Sequence, residues 1–500
     1  MSEPQDGSFA RRVASSFLVA GAGNLISKGV NVVALFLVLK MISPAELGLA
    51  SIVLAIFAVL QSVTELGLGV ALVQAKDATR DQIDSLFWVS MMVAGGLYLL
   101  LLAAAPLAGW AYGEPELTAL LRVQGLAVVI SALYLVPRNL LVRDLRFGRV
   151  TIADNVSLLL ASGAMIAAAS MGYGPWAIIA GEVVNRAGQL VMFQLFNPYL
   201  PRLHLRLAEV RSMVSFGLYA TGSRLLYNFY INADYLVVGK VFGPAAVGIY
   251  TVAFRIVADP VKTLASVVNQ VAYPAFAKLQ DEPERLKTYL FTMARGNLAT
   301  IGTVLTLVCV FIEDGLLIAG YDQWLGAVPL VRIFAISGLL LCVAPLVPQL
   351  LNAMGQARLN MAYSALAAVV MPVAFFVGSR FGVEGVAWAW AMTYPALAMV
   401  LFAFGARQLG LSLPAFTARA LGGLVVFVPV AVVAIGLKVA LGTWTTLSPL
   451  WVIVIGALLT LAVGARLTLW REREAIRLVL GKGKPASEPG ADQDATERTP

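Results

Sequence analysis

Polar and ionisable side chains recur at helical spacing inside long apolar segments of this sequence. Asn24, Lys28 and Asn31 stand at positions i, i+4 and i+7, and residues so spaced share one face of a helix. Arg224 and Asn228 repeat the four-residue spacing in the second half of the chain. A charge at membrane depth is costly and usually faces a cavity or a partner group. The pattern therefore predicts a hydrated polar site inside the bilayer.

Basic residues outnumber acidic ones in these segments, so the predicted cavity carries a net positive charge. Such a cavity favours an anionic ligand, and the planar guanidinium of arginine matches a phosphate group. Lys28 and Arg224 have no carboxylate one helical turn away, which makes them the strongest candidates. The predicted substrate-binding residues are Lys28, Arg224, Arg255, Lys262, Arg186, Asn24 and Asn228.

Some of these charges have a second interpretation, in which neighbouring residues neutralise each other. Glu182 and Arg186 stand four residues apart, and we favour an internal ion pair over substrate contact for them. The same spacing relates Arg255 to Asp259, and there both interpretations stay open. Asp234 lies near the end of its predicted helix, where we expect a helix-packing or capping contact rather than a coupling role.

The composition requires these residues to be carried by membrane helices. The sequence is 59% hydrophobic and 13% charged, with a mean hydropathy of +0.82, whereas a soluble domain has roughly 25% charged residues. A spanning helix needs ~20 mostly apolar residues, and by that measure the sequence holds about 14 candidate spans. We therefore predict an all-α polytopic membrane protein, with Met171–Trp176 as the turn between two spans.

Lysine and arginine concentrate in alternate loops between the predicted spans. Cytoplasmic loops of membrane proteins carry this excess, so the pattern predicts that both termini are cytoplasmic, N-in and C-in. Basic loops facing an anionic leaflet account for the net charge of +8 without any nucleic acid. Tryptophans near the span ends indicate an aromatic belt at the membrane interfaces. They are Trp88, Trp110, Trp176, Trp324 and Trp451.

The sequence also repeats itself over a long interval. Met41–Gly48 and Val241–Gly248 each contain a small residue, Pro-Ala, and a glycine three residues further on. Long-period self-similarity indicates duplicated structural units, and parallel repeats place a transport site between them. Two later pairs of segments are similar at a comparable offset, Arg138–Arg149 with Gln349–Arg358 and Tyr173–Val184 with Phe381–Met392.

The repeat predicts two pseudo-symmetric lobes of about six helices each. The N-terminal lobe covers residues 1–200 and the C-terminal lobe covers residues 201–410. Two extra helices follow within residues 411–480. Residues 481–500 are rich in Gly, Pro, Glu and Asp, a composition typical of a disordered segment, here a cytoplasmic tail.

Residues that hold metals and cofactors are scarce. His204 is the single histidine, and Cys309 and Cys342 lie in apolar runs, where we expect them to pack. The sequence contains no HExxH, CxxC, Walker A or GxGxxG pattern. We therefore expect no catalytic residues, no metal, no cofactor and no ATP hydrolysis, and we predict that the protein is not an enzyme.

Four sequence segments together resemble a known protein family. MISPAELGLASIV begins at Met41, ELGLGVALVQ at Glu65, DSLFWVSMMVAG at Asp84, and NADYLVVGKVFGPAAVGIYTVAFRI at Asn232. With them the chain resembles the polysaccharide flippases of the multidrug/oligosaccharidyl-lipid/polysaccharide exporter superfamily. The resemblance covers nearly all of the predicted spans. It rests on family-typical phrases, so no site residue is transferred by motif.

The resemblance implies a V-shaped bundle of two lobes in a bacterial inner membrane. It implies translocation of oligosaccharides linked to undecaprenyl diphosphate from the cytoplasmic to the periplasmic leaflet, for lipopolysaccharide, capsule or exopolysaccharide synthesis. The partners to expect are this lipid-linked substrate, membrane lipids, a proton or cation counter-ion, a polysaccharide polymerase and chain-length proteins. Glu65 and Asp259 are the weaker candidates for exchanging the proton or cation.

Two other functions are compatible with a polytopic helical bundle. A cation-coupled multidrug exporter of the same fold would need a cavity with unpaired carboxylates to attract cationic drugs, and the excess of basic residues argues against it. A membrane glycosyltransferase or polymerase would need long outer loops carrying catalytic residues, and the outer stretches predicted here are short. We therefore keep the exporter as the alternative to the flippase.

Overall fold

The computed structural model describes residues 29–64, 78–444 and 448–471, together with Ser27, Gly69 and Leu72. Within this described part every regular element is a helix. Ten helical segments in these described residues are long and apolar enough to cross a membrane by length and composition. These observations confirm the all-helical membrane fold, whereas the larger number of spans, the orientation and the tail stay predictions.

Among the described residues, the helices from α3 to α15 follow one another with short connections. The first eight are α1 (Gly29–Leu39), α2 (Pro44–Thr64), α3 (Arg80–Tyr112), α4 (Pro115–Arg143), α5 (Phe147–Ser170), α6 (Trp176–Phe196), α7 (Leu207–Phe242) and α8 (Pro244–Lys278). Those that follow are α9 (Pro283–Ile318), α10 (Ala327–Leu341), α11 (Leu346–Ala353), α12 (Ala357–Gly378), α13 (Gly382–Gln408), α14 (Leu413–Ala420), α15 (Leu424–Trp444) and α16 (Pro449–Arg471).

Contacts divide the chain into two compact units. The first holds the chain up to Ile256, then Leu316–Ser337 and Arg358–Leu397. The second holds Val257–Gly315, Gly338–Ala357 and the chain from Ala398 onward. The division into lobes by sequence repeat is a separate criterion and stays a prediction.

Small side chains pack the first unit. α3 lies along α4, and α6 packs against both α4 and α5. At one crossing, Phe57 of α2 meets Ala94 of α3 and Ala127 of α4. Small residues at such crossings let helix backbones approach closely, which is how membrane helices associate without help from the hydrophobic effect.

The second unit combines long helices with polar links between them. α15 packs along α16. The Nδ2 of Asn297 donates a hydrogen bond to the carbonyl oxygen of Cys342 at 3.1 Å, and the Nζ of Lys438 lies 2.6 Å from the Oδ2 of Asp314. Cys309 and Cys342 are both free thiols, and Cys342 is buried, as expected of a packing residue.

The predicted turn at Met171–Trp176 is confirmed. α5 ends at Ser170 and α6 begins at Trp176. Gly172 and Gly174 between them have φ angles of 78° and 54°. Glycine lacks a Cβ and adopts this left-handed conformation without steric penalty, so two glycines allow the chain to reverse within a few residues.

The repeated segments Arg138–Arg149 and Gln349–Arg358 each contain a turn of the same type. After α4, the N–H of Arg146 donates to the carbonyl of Leu141 at 2.9 Å, and after α11 the N–H of Gln356 donates to the carbonyl of Leu351 at 2.7 Å. A hydrogen bond of this type ends a helix when the residue just before the donor adopts a left-handed conformation. That left-handed residue is Gly355 in the second half of the chain and Leu145 in the first half, with φ angles of 74° and 56°.

One tryptophan departs from the predicted interface belt. Trp110 and Trp451 are exposed on the protein surface, as a belt requires, whereas Trp324 is fully buried. The Nε1 of Trp324 donates to the carbonyl of Leu39 at 2.9 Å. The prediction is therefore wrong for Trp324, because its polar edge caps the end of a helix inside the protein.

Candidate functional site

A chain of polar side chains crosses the first unit around Arg186. The Nη2 of Arg186 lies 2.7 Å from the Oε1 of Glu182, one turn earlier on α6. The Nη1 of Arg186 donates to the hydroxyl of Tyr134 on α4 at 3.3 Å, and the guanidinium lies 5.7 Å from the ring centre of Phe57. The ion pair expected from the spacing is present. The carboxylate of Glu182 compensates much of the charge of Arg186, whose side chain is only 20% exposed.

The same chain continues to α5. Tyr134 donates its hydroxyl hydrogen to the Oε1 of Gln189 at 2.7 Å, and the Nε2 of Gln189 donates to the Oδ1 of Asp154 at 2.9 Å. Two carboxylates, one guanidinium, a phenol and an amide are thereby linked across three helices. Sequence reasoning missed Tyr134 because a neutral residue in an apolar run gives no charge signal. Gln189 was detectable as a further polar residue on the face of Glu182 and Arg186.

Arg224 and Asn228 occupy the middle of α7. The Nδ2 of Asn228 donates to the Oγ of Ser62 on α2 at 2.8 Å and to the carbonyl of Arg224 at 3.1 Å. Asn228 therefore ties α7 to α2, a packing role that the sequence pattern did not distinguish from ligand binding. The side chain of Arg224 is exposed, one turn from this anchor.

The remaining site residues that the structure describes lie on α8. Arg255 is half-buried on the part of α8 that belongs to the first unit, and Asp259 is half-buried in the second unit. Neither takes part in an ion pair among the residues whose positions the structure describes. Lys262, also in the second unit, is exposed. The predicted residues Asn24, Lys28 and Glu65 lie outside the described residues.

Asp234 forms a second buried polar centre in the first unit. Its Oδ2 accepts hydrogen bonds from the Nε1 of Trp390 at 2.7 Å and from the hydroxyl of Tyr250 at 2.9 Å. Its Oδ1 accepts from the backbone N–H of Tyr235 at 2.9 Å. No lysine or arginine in the described part of the chain pairs with Asp234. The fully buried carboxylate thus joins α7, α8 and α13, the packing role expected of it.

A third polar centre lies at the start of α3. Thr79 and Gln82 form a capping box that begins the helix, which satisfies the free N–H groups there. The buried Asp84 accepts from the hydroxyl of Tyr199 at 2.5 Å and lies 3.3 Å from the Nε of Arg80. Burial and the carboxylate of Asp84 raise the pKa of Tyr199 well above its ordinary value. This arrangement fixes the loop after α6 against α3.

These observations define a polytopic, all-helical membrane protein whose helices carry polar clusters inside an apolar bundle. The same fold occurs in the inward closed conformation of the lipid II flippase MurJ, with a TM-score of 0.71, 12% sequence identity, and coverage of 92% of this chain and 100% of that one. The family model described as "Polysaccharide biosynthesis protein" matches residues 37–329. The chain belongs to this family.

Characterised relatives agree with the family match. The teichuronic acid biosynthesis protein TuaB of Bacillus subtilis is 27% identical over 336 residues, which are 66% of this chain and 69% of TuaB. The lipopolysaccharide biosynthesis protein WzxC of Escherichia coli is 23% identical over 361 residues, 70% of this chain and 72% of WzxC. The resemblance to polysaccharide flippases inferred from the sequence is thereby confirmed.

Proposed function

We propose that the protein is a flippase that moves oligosaccharide units carried on undecaprenyl diphosphate from the cytoplasmic to the periplasmic leaflet of a bacterial inner membrane. Membership of the polysaccharide biosynthesis family supports this. So do the lipopolysaccharide pathway named for WzxC and the lipid substrate named for MurJ, a protein of the same fold. The product would enter lipopolysaccharide, capsule or exopolysaccharide synthesis, where a polymerase and chain-length proteins are the expected partners.

The observation that carries the proposal is the position of Arg224. At 1.5 Å per residue, Arg224 lies roughly 26 Å from either end of α7, close to the middle of the helix. Its side chain is exposed, and Asn228 holds this stretch of α7 on α2. A cation presented at mid-helix from a fixed backbone suits an anionic headgroup, because arginine forms two parallel hydrogen bonds to phosphate.

The proposed cycle needs no covalent chemistry. Lys28, Arg224 and Arg255 hold the diphosphate while the isoprenoid tail stays in the lipid, and the two lobes of an alternating-access carrier open first to one side and then to the other. Glu65 or Asp259 exchanges a proton or cation to reset the carrier. None of these steps makes or breaks a covalent bond, so the protein acts as a transporter and not as an enzyme.

Arg224 gives a direct test of this function. Purified protein in liposomes is supplied with a lipid-linked oligosaccharide, and the fraction reaching the opposite leaflet is measured by its accessibility to an added glycosidase. Losing hydrogen bonds to a charged phosphate costs about 1.5–3 kcal/mol, so Arg224→Ala should slow translocation about ten- to hundredfold. Arg224→Lys keeps the positive charge but cannot form two parallel hydrogen bonds to phosphate. Its translocation rate should lie between those of the wild type and Arg224→Ala.

Arg122→Ala is the matched control, because Arg122 is an exposed arginine near the beginning of α4 and has no place in the proposed site. It should translocate at the wild-type rate. Wild-type translocation by a correctly inserted Arg224→Ala variant would contradict the proposed site. Efflux of a cationic drug with no movement of lipid-linked oligosaccharide would instead support the multidrug exporter.

A further inference from the structure

The two copies of the repeated turn contact each other directly. A Cβ added to Gly48 would lie 1.7 Å from the carbonyl oxygen of Pro244, and one added to Gly248 would lie 1.9 Å from the carbonyl oxygen of Pro44. Real Cβ atoms are essentially never closer than 3.0 Å to another heavy atom. The backbones of α2 and α8 therefore touch at the first turn of each helix, through a reciprocal pair of glycines.

The symmetry of this contact explains the sequence repeat. Proline is favoured in the first turn of a helix because its fixed φ suits the helix and its missing N–H has no partner there. The glycine four residues later lies one turn along the same helix face, where only a hydrogen atom leaves room for the other backbone. Proline and glycine are thus needed at the same positions of both copies. All four residues belong to the first unit.

The segment after α9 seals one flank of this contact. The hydroxyl of Tyr321 donates to the carbonyl of Phe36 at 2.7 Å. The Nε2 of Gln323 donates to the carbonyls of Leu39 and Ile42 at 3.0 and 3.3 Å. The last carbonyls of a helix have no partner within it. These bonds supply that partner, and together with Trp324 they bind the end of α1 to the turn that leads into α2.

α3 and α7 also meet near this contact. The hydroxyl of Tyr112 donates to the carbonyl of Leu236 at 3.1 Å, and Lys240 donates to the carbonyl of Ala111. A Cβ on Gly239 would lie 2.8 Å from the side chain of Ile52, so α7 also approaches α2 closely. Ile52 and Val247 are fully buried. The helices are therefore tightly packed at this end of the unit.

We propose that the Gly48–Pro244 and Gly248–Pro44 contacts form the gate that closes the extracytoplasmic side of the carrier. The inference rests on the proposed function and on the predicted N-in orientation, which places the turns after α1 and α7 on the outer side. Release of substrate to that side requires the two turns to separate. Because the contact joins backbone to backbone, any side chain at either glycine pushes the turns apart and favours the open gate.

Cysteine labelling tests the gate. Val247→Cys is placed in a Cys309→Ser/Cys342→Ser background, and intact cells are treated with a membrane-impermeant maleimide. Closed protein should label slowly, since position 247 is buried. Gly48→Ala and Gly248→Ala should each raise the labelling rate about tenfold, the change that follows from a 1.4 kcal/mol shift toward the open state.

Gly95→Ala is the control. Gly95 lies in the middle of α3, and a Cβ there meets nothing within 4 Å, so labelling should stay at the background rate. If the glycine variants do not give a monodisperse peak on size exclusion, Trp324→Phe replaces them, because it weakens the seal by one hydrogen bond and keeps a ring. It should also label faster than Gly95→Ala. If every folded variant is labelled at the same rate as Gly95→Ala, the proposed gate is wrong.

The translocation assay separates the gate from the function. Faster labelling in a protein that moves no lipid-linked oligosaccharide would support the gate and refute the flippase. Translocation by wild-type protein with no response of the label, or with a response only from the cytoplasmic side, would overturn the gate and leave the flippase standing.

Discussion

Removing one hydroxyl from the Asp234 centre should measure how strongly that centre holds α7, α8 and α13 together. The perturbation is Tyr250→Phe. Tyr250 is fully buried, and its ring stacks edge-on against Tyr235 and Phe334 at centroid distances of 5.7 and 5.0 Å. Phenylalanine preserves those ring contacts. The substitution therefore removes the 2.9 Å hydrogen bond to the Oδ2 of Asp234, together with the contact between the hydroxyl and the indole N–H of Trp390.

The magnitude follows from the charge and burial of the acceptor. A hydrogen bond to a charged group contributes about 1.5–3 kcal/mol, and the upper part of this range applies because Asp234 is fully buried and, among the described residues, only the side chains of Tyr250 and Trp390 donate to it. Adding Trp390→Phe leaves the carboxylate with backbone donors only. The double variant should lose more stability than the sum of the single variants, since neighbouring partners of one group are coupled.

The assay is equilibrium unfolding in mixed micelles by titration with a denaturing detergent, followed by tryptophan fluorescence for the Tyr250→Phe comparison and by circular dichroism for variants that lack Trp390. Tyr173→Phe, at an exposed tyrosine in the turn after α5, is the matched control and should change the unfolding free energy by less than about 0.5 kcal/mol. A Tyr250→Phe variant as stable as this control would refute the conclusion that the buried carboxylate organises the three helices.

Two further predictions concern the ends of helices. Leu145 adopts a left-handed conformation that costs a residue with a Cβ roughly 1–2 kcal/mol. Leu145→Gly should therefore raise the thermal unfolding temperature in detergent, whereas Gly355→Leu at the equivalent turn should lower it. Shifts of the same sign in the two variants would contradict this explanation. Tyr199→Phe should cost about 1.5–3 kcal/mol at neutral pH because it removes the bond to Asp84. Since the pKa of Tyr199 is raised in the folded protein, this contribution is complete below about pH 10 and falls as the pH rises further. The difference in unfolding free energy between wild type and Tyr199→Phe should therefore narrow from pH 8 to pH 11, and a constant difference would argue against the buried hydrogen bond.

Much of the fold could be predicted because the rules that govern it are local. Hydropathy over ~20 residues finds membrane helices whatever their neighbours are. Two glycines located the turn at Met171–Trp176 for the same reason. The four-residue spacing of Glu182 and Arg186 placed their ion pair, since both partners lie on one helix. The predicted interface position of Trp324 was wrong because its partner, the carbonyl of Leu39, lies 285 residues away in the sequence.

The candidate site depends far more on such distant partners. Spacing alone could not distinguish Asn228 as a packing residue from Asn228 as a ligand, because the distinction depends on Ser62 of another helix. Nor could it connect Asp234 to Trp390, which lies 156 residues further along the chain.

The amino-acid sequence by itself determined a helical membrane protein with duplicated segments, and it predicted basic residues at membrane depth, because hydropathy, helical period and repetition are properties of the chain alone. Only the tertiary structure decided that the two repeated turns touch through Gly48 and Gly248. The sequence shows only that glycine has no side chain, whereas the tertiary structure shows which backbone occupies the space that a side chain would fill.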